Sequence, residues 1–146
     1  MKILLIEDSP TDAILMSRQL RAVDIAVSHI NDLPADSSEH HDCRVILLDL
    51  NLLSSDGPDT VRKCRELLPA TPIVVLTSVE APRELAECIE HTADSTLTKG
   101  TADARDILTA LQAAVMRRID LDDAMADLGD LLSAMEDRTQ RLLSTL

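Results

Sequence analysis

The chain has no phenylalanine, tyrosine or tryptophan, although 45% of its 146 residues are hydrophobic. A buried core must therefore be built from leucine, isoleucine, valine, alanine and methionine. The length suits one domain, or one domain with an appendage. The sequence also lacks any apolar run of the roughly 20 residues that a membrane-spanning helix needs. It enters a strand-like run at once, without the segments of a signal peptide, so we expect a cytoplasmic protein.

Basic residues and cysteines are also scarce. The 14 Lys and Arg stand against 26 Asp and Glu, which gives a net charge of −12. Binding to nucleic acid or to an anionic membrane depends on clustered basic side chains, so neither is expected as a partner. Cys43, Cys64 and Cys88 are odd in number and lack CxxC spacing. We therefore expect them to pack as apolar side chains in a reducing compartment.

Short apolar runs alternate with segments that suit helices. Strands are predicted at 2–6, 25–30, 44–48, 72–76 and 95–98, and helices at about 10–21, 35–41, 58–68, 81–91 and from 101 onward. The helix at 35–41 is short and has the weakest pattern. Runs rich in aliphatic and β-branched residues are typical of buried parallel strands. Their alternation with helices predicts an α/β fold, with a parallel sheet covered on both faces.

Polar residues stand at the ends of four of these runs. Glu7 and Asp8 follow the first run, Asp49 the third, Thr77 the fourth and Lys99 the fifth. Ligands of open α/β sheets bind where the carboxyl ends of the strands meet, so we expect these side chains to converge on one site. Three neighbouring carboxylates repel one another, and Mg²⁺ is a natural compensation because it prefers such oxygen ligands. The metal, the Lys99 ammonium group and the hydroxyl or backbone N–H of Thr77 could each bind one equatorial oxygen of a transferring phosphoryl group.

Four segments together resemble the receiver domain of two-component response regulators. They are KILLIED (2–8), VILLDLNLLSSDG (45–57), PIVVLTS (72–78) and TLTKG (96–100), in the family's order and at its separations. The resemblance covers about residues 1–118. It implies a flavodoxin-like, doubly wound sheet of five parallel strands in the order 2-1-3-4-5, with five flanking helices. It also implies bound Mg²⁺ and a histidine kinase or histidine phosphotransfer protein as the phosphoryl donor.

Six positions match the family's site. Asp49 matches the phospho-acceptor, and Glu7 and Asp8 match the acidic pair that holds the metal together with Asp49. The backbone carbonyl of Asn51 matches a further metal ligand. Thr77 matches the switch hydroxyl, and Lys99 matches the cation that pairs with the phosphoryl group. Beyond promoting its own aspartyl phosphorylation and dephosphorylation, the chain is not expected to be an enzyme.

The sequence departs from the family's pattern at three places. Thr96 stands where the family often has an aromatic residue or histidine, so we predict output through the loop after the fourth strand and the next helix, or constitutive assembly. Gly100 replaces a proline, which removes the expectation of a cis peptide bond there. Leu53 and Ser54 replace a Pro-Asp pair, so the loop after the acceptor is expected to be less rigid.

Beyond the receiver pattern, apolar residues recur every seven positions. One series is Ile107, Ala114, Leu121, Leu128, Met135 and Leu142, and the other is Leu111, Arg118, Met125, Leu132, Thr139 and Leu146. Such a repeat is typical of a coiled-coil seam. We therefore divide the chain into a receiver, 1–118, and an amphipathic helix, 119–146, that forms a coiled coil or binds a partner. The preferred hypothesis is a parallel homodimer through a continuous helix, and the alternative is a new helix near 119–123 that folds back on the domain.

Functions of three classes were weighed. The favoured one is a phospho-accepting regulator, in which phosphorylation of Asp49 alters dimerisation or partner binding. A haloacid-dehalogenase-like phosphatase would need an acid two residues after its nucleophile, where this chain has Asn51. The third is a scaffold that dimerises without phosphorylation. The chain could equally be the front of a larger regulator with a catalytic output domain.

Overall fold

The protein is built on a five-stranded parallel sheet, seen in a computed structural model that describes residues 1–36, 38–77, 93–100 and 102–145. The strands are β1 (Lys2–Ile6), β2 (Ala26–Ile30), β3 (Val45–Asp49), β4 (Ile73–Thr77) and β5 (Ser95–Thr98). The described helices are α1 (Pro10–Arg21), α2 (Gly57–Leu67) and α3 (Ala104–Ser144). The strand order is β2-β1-β3-β4-β5, and all neighbours are parallel, which confirms the predicted α/β fold.

The three central strands are buried on both faces, as their continuous apolar runs predicted. Side chains alternate across a strand, so Ile3 and Leu5 join the core cluster that contains residues of α1 and α3, whereas Leu4 and Ile6 join the cluster that contains residues of α2. Both clusters consist of aliphatic residues, methionine and cysteine. The cores that cover the two faces of the sheet therefore form without aromatic side chains.

The start of α1 is fixed by capping. Ser9 is extended, its hydroxyl accepts a hydrogen bond from the N–H of Asp12 at 3.4 Å, and Pro10 begins the helix. A serine N-cap satisfies one of the N–H groups that a helix leaves free at its start, and proline suits the first position because no N–H is needed there. This arrangement carries Asp12 to the edge of the sheet where β1 ends.

The prediction of a short helix near Ala35 to His41 is wrong for the residues described there. Turns occupy the described parts of 31–43. The Asp32 carboxylate accepts from the N–H of Leu33 at 2.8 Å, and the Asp36 carboxylate accepts from the N–H of Ser38 at 2.9 Å. Such local bonds compete with helix formation. The helix predicted at 81–91 lies outside the described residues, as does Cys88, whereas Cys43 and Cys64 are buried free cysteines.

The helix α3 is one continuous element of 41 residues. It begins with a capping box, in which the Asp103 carboxylate accepts from the N–H of Asp106 at 2.9 Å and the Asp106 carboxylate accepts from the N–H of Asp103 at 3.1 Å. At ~1.5 Å per residue it is about 60 Å long. No new helix starts near 119–123, and the large apolar side chains from Leu121 to Leu142 are exposed, so the helix does not fold back. Among the described helices, none is both long and apolar enough to span a bilayer.

Candidate functional site

The predicted site residues converge at one edge of the sheet. Ile6 pairs in register with Leu48, Asp49 with Leu76, and Thr77 with Thr98. The residues that follow these strands therefore emerge side by side. The N–H of Lys99 also donates to the carbonyl of Thr77 at 2.6 Å, which ties the ends of β4 and β5 together.

Three carboxylates cluster at this edge. Glu7, Asp8 and Asp49 each offer one oxygen, and these oxygens all lie within 4.8 Å of one another. Glu7 is 1% exposed and Asp49 6% exposed, whereas Asp8 is half-buried. Burying carboxylates so close together is unfavourable unless cations or hydrogen bonds compensate them. The predicted convergence of the acids is found in the structure.

Lys99 supplies one compensating charge. Its Nζ lies 2.5 Å from Oε2 of Glu7, 3.3 Å from Oδ1 of Asp49 and 3.3 Å from Oδ2 of Asp12. Asp12 was not predicted as a site residue, because an acid in the first turn of a helix is already explained by its favourable interaction with the helix dipole. The position of Asp12 shortly after Glu7 and Asp8, at the start of the following helix, could have indicated that it lies near the site.

Burial shifts the pKa values of Glu7 and Lys99 in opposite directions, but both pKa values are raised overall. Burial raises the pKa of Glu7, and nearby Asp49 raises it further, while Lys99 and the N–H of Ser9 at 3.1 Å act against the rise. Burial lowers the pKa of Lys99, but its bonds to Glu7 and the charge of Asp49 outweigh burial, so the pKa of Lys99 is raised overall. Lys99 therefore stays protonated, and one ammonium group faces a surplus of acid.

The donor set fits a hard divalent cation. Carboxylate oxygens are the ligands that Mg²⁺ prefers, usually one or two of them with waters and carbonyls completing the shell. Asn51 lies beside this set, because its N–H points to Oδ1 of Asp49 at 3.4 Å. Ser78 and Val79, the two residues that follow Thr77, lie outside the described residues.

The structure describes each of the positions that depart from the family's pattern. Gly100 has a φ of +79°, a conformation that favours glycine. Leu53 is 88% exposed, but the loop that carries it is tied down, since the Ser54 hydroxyl donates to the Asp32 carboxylate at 2.5 Å. This bond links the loop to the loop after β2, and the expected loss of rigidity stays a prediction. Thr96 is exposed on β5, and output without an aromatic residue at this position stays a prediction.

Residues 3–112 match the family model of the response regulator receiver domain. The chain belongs to this family. The sensory transduction protein RegX3 of Mycolicibacterium smegmatis is 28% identical over 131 residues, which are 88% of this chain and 57% of RegX3. The chain thus spans little more than half of that relative's length.

Two solved structures share the receiver fold. An adenylate cyclase structure from Rhodopirellula baltica has a TM-score of 0.69 and 22% identity, and the match covers 88% of this chain and 96% of that one. The receiver domain of the sensor histidine kinase PA1611 from Pseudomonas aeruginosa has a TM-score of 0.62 and 24% identity, with coverage of 78% and 96%. The PA1611 domain has a magnesium ion coordinated in its active-site cleft.

Membership in the family sets the general function. Receiver domains bind Mg²⁺ in an acidic pocket and accept phosphoryl groups from histidine kinases in two-component signalling, and they are not catalytic output domains. The acidic cluster of Glu7, Asp8 and Asp49 lies where such a pocket is expected. The phosphatase alternative is not supported, since the chain belongs to a different family and Asn51 cannot act as the general acid that it needs.

Proposed function

We propose that this receiver accepts a phosphoryl group on Asp49 from the phosphohistidine of a histidine kinase or histidine phosphotransfer protein. The single observation that carries the proposal is the cluster of Glu7, Asp8 and Asp49, with the ammonium group of Lys99 against Glu7 and Asp49. A strand-end aspartate alone would often be a solvated cap. An aspartate that shares a buried site with two further acids and a protonated lysine is suited to binding a metal and a phosphoryl group.

Glu7, Asp8, Asp49 and the backbone carbonyl of Asn51 would hold Mg²⁺. When bound, Mg²⁺ supplies positive charge that offsets the crowded carboxylates and the oxygens of the phosphoryl group. Lys99 supplies the other positive charge and already lies 3.3 Å from Oδ1 of Asp49. A short movement of its flexible side chain would let it pair with a phosphoryl oxygen.

The transfer itself needs only alignment and charge compensation from the protein. An oxygen of Asp49 forms the new bond to phosphorus, the N–P bond of the donor breaks, and its electron pair stays on the imidazole nitrogen. Negative charge spreads over the equatorial oxygens in such a transfer. Lys99 and the hydroxyl of Thr77, at the end of β4, are the groups of this chain that would bind these equatorial oxygens.

Homodimerisation through α3 is the second part of the proposal, and phosphorylation would alter it or alter binding of another partner. A scaffold that dimerises without phosphorylation is the alternative, favoured by the exposed apolar stripe on α3. A larger regulator that carries a catalytic output domain after this receiver would use the same phosphoryl-accepting site.

Phosphoryl transfer from a purified phosphorylated histidine phosphotransfer protein, with and without Mg²⁺, tests the proposal. We expect Mg²⁺-dependent labelling of the wild type and none of Asp49→Asn. The matched control is Asp56→Asn, which changes an exposed acid in the same loop and keeps a good N-cap for α2. Labelling of Asp49→Asn equal to that of Asp56→Asn would exclude Asp49 as the acceptor.

A further inference from the structure

The apolar stripe of α3 has two structurally different halves. Ile107, Leu111 and Ala114 are at most 1% exposed and belong to the core of the receiver. Further along, the same seven-residue repeat is exposed to solvent. We call this part the distal seam, and it consists of Leu121, Met125, Leu128, Leu132, Met135, Thr139 and Leu142.

Arg118 marks the boundary between the two halves. It occupies a seam position in the sequence repeat, but its guanidinium donates to the carbonyl of Pro69 in the loop between α2 and β4. The guanidinium of Arg65 donates to the same carbonyl at 3.4 Å. Arg118 therefore contacts the receiver of its own chain, and the exposed repeat begins one turn later at Leu121.

We propose that the distal seam forms a parallel, in-register, two-stranded coiled coil with a second copy of this chain, beginning at Leu121. The inference rests on the homodimer that is part of the proposed function, and it specifies which residues associate and in which direction. The seam spans about 32 Å of helix at ~1.5 Å per residue. Most of the stability of a helix in a protein comes from packing of its amphipathic face, so a partner helix is needed to bury the exposed leucines and methionines.

The distribution of charge favours a second copy of the chain as the partner. No seam position carries an acid, although this part of the chain has seven acidic residues. Five of them lie on the side of the helix away from the seam, at Asp120, Asp123, Asp127, Asp130 and Asp137. Two such helices can therefore pair through their seams while these acids face solvent. The same acids disfavour an anionic lipid surface as the partner.

The only polar residue of the distal seam is compatible with burial. The Thr139 hydroxyl donates to the carbonyl of Met135 at 3.0 Å within its own helix. It therefore enters an interface without an unsatisfied donor, and a polar residue at a core position of a coiled coil can fix the register. Leu121, Leu128 and Leu142 occupy the d positions of the heptad, where leucine is favoured in two-stranded coiled coils.

Direction follows from what each arrangement places opposite Thr139. In a parallel in-register pair, Thr139 meets Thr139 of the second copy. An antiparallel pair that preserves the seam places Thr139 opposite Leu121 or opposite Leu128, and the former also brings Asp122 near Glu136 of the second copy. Like charges at the flanking positions are unfavourable, and both antiparallel pairs place Thr139 against a leucine. The parallel arrangement is therefore preferred.

Sedimentation equilibrium of the full chain tests whether the seam associates, with and without beryllofluoride and Mg²⁺. The seam variant is L128E/L132E, and its matched control is A126E/A134E, which adds the same charge to exposed positions off the seam. We expect twice the mass of one chain for the wild type and the control, and the mass of one chain for the seam variant. A monomeric wild type in both conditions, a trimer, or a dimeric seam variant would overturn the inference.

Disulfide trapping tests direction. We expect Leu121→Cys to form a covalent dimer on mild oxidation, because identical core positions meet in a parallel pair. Ala126→Cys is the off-seam control, and the wild type with its three native cysteines gives the background. A dimer that Leu121→Cys does not trap above that background would contradict the parallel arrangement. Asp49→Asn keeps the distal seam and is expected to match the wild type in every sample without beryllofluoride, so failure here is distinguishable from failure of phosphoryl transfer.

Discussion

Lys99 contacts three carboxylates, those of Glu7, Asp12 and Asp49. Its ammonium group therefore compensates part of the negative charge at the acidic edge of the sheet. Its side chain is only 16% exposed, so solvent screens these contacts weakly. The same closeness leaves Lys99 beside the oxygen to which a phosphoryl group would be attached.

Replacing Lys99 by Met tests this role through stability. In EDTA, Glu7 and Asp49 would lose their cation, and we expect the free energy of unfolding to fall by about 1–3 kcal/mol. Saturating Mg²⁺ should recover part of the loss. Urea denaturation measures both effects. The control is Lys63→Met, which breaks an exposed pair with Asp59 and should change stability by less than about 0.5 kcal/mol. Equal effects of the two variants in EDTA would contradict the role of Lys99.

Cys64 gives a residue-scale prediction away from the site. Burial raises the pKa of this thiol to about 12, so the folded protein holds the proton through a range in which the unfolded thiol has lost it. Stability from this group is therefore complete below the unfolded pKa and decreases as pH rises towards 12. Above the unfolded pKa, we expect the wild type to lose about 1.4 kcal/mol per pH unit more than Cys64→Ala.

Urea denaturation over alkaline pH measures this difference in slope. At neutral pH, iodoacetamide should label Cys64 only after unfolding, which peptide mass spectrometry can detect. Rapid labelling of Cys64 in the folded protein, or parallel pH slopes for the two proteins, would mean that the thiol is not buried as described.

At the scale of elements, the strands and the edge where they end could be predicted from the sequence, because buried parallel strands leave a strong local pattern. The helix near 35–41 could not be predicted correctly, since the side chains of Asp32 and Asp36 capture backbone N–H groups that the pattern leaves unassigned. The contact of Asp12 with Lys99 joins residues 87 positions apart. The two uses of the α3 stripe likewise depend on what the rest of the chain covers.

The starts of β4 and β5, at the edge of the sheet away from the acidic site, are joined by an ion pair between Arg65 and Asp94. These two residues are far apart in the sequence. Arg65 donates to the Asp94 carboxylate at 2.6 Å and to the carbonyl of Thr71 at 2.8 Å. The same carboxylate accepts from the N–H of Ile73 at 2.9 Å, and the Asp94 side chain is 4% exposed. These bonds hold α2, the loop before β4 and the start of β5 together.

Arg65→Met should therefore be strongly destabilising, by about 3–5 kcal/mol, because it leaves the buried Asp94 carboxylate without its cation. Arg62→Met is the matched control on the same helix, where an exposed pair with Asp59 at 3.7 Å should contribute less than about 1 kcal/mol. Urea midpoints of the two variants measure the contrast. A loss for Arg65→Met as small as for Arg62→Met would show that this network contributes little.

At the scale of the whole molecule, the receiver and its long helix place two different surfaces far apart. The acidic edge lies at the carboxyl ends of the strands, while Arg118 and the loop at Pro69 lie where α3 leaves the domain. Among the described elements, α3 packs on β3, β4 and β5, so this packing would connect phosphorylation at the acidic edge with the distal seam.

The most direct test of the central claim is a titration with beryllofluoride and Mg²⁺, followed by amide NMR shifts. In the wild type we expect saturable shifts centred on Glu7, Asp49, Thr77 and Lys99, which require Mg²⁺ and are absent in Asp49→Asn. Shifts of equal size in Asp49→Asn, or none in the wild type at saturating Mg²⁺, would contradict the claim that these acids form a phosphoryl-accepting metal site.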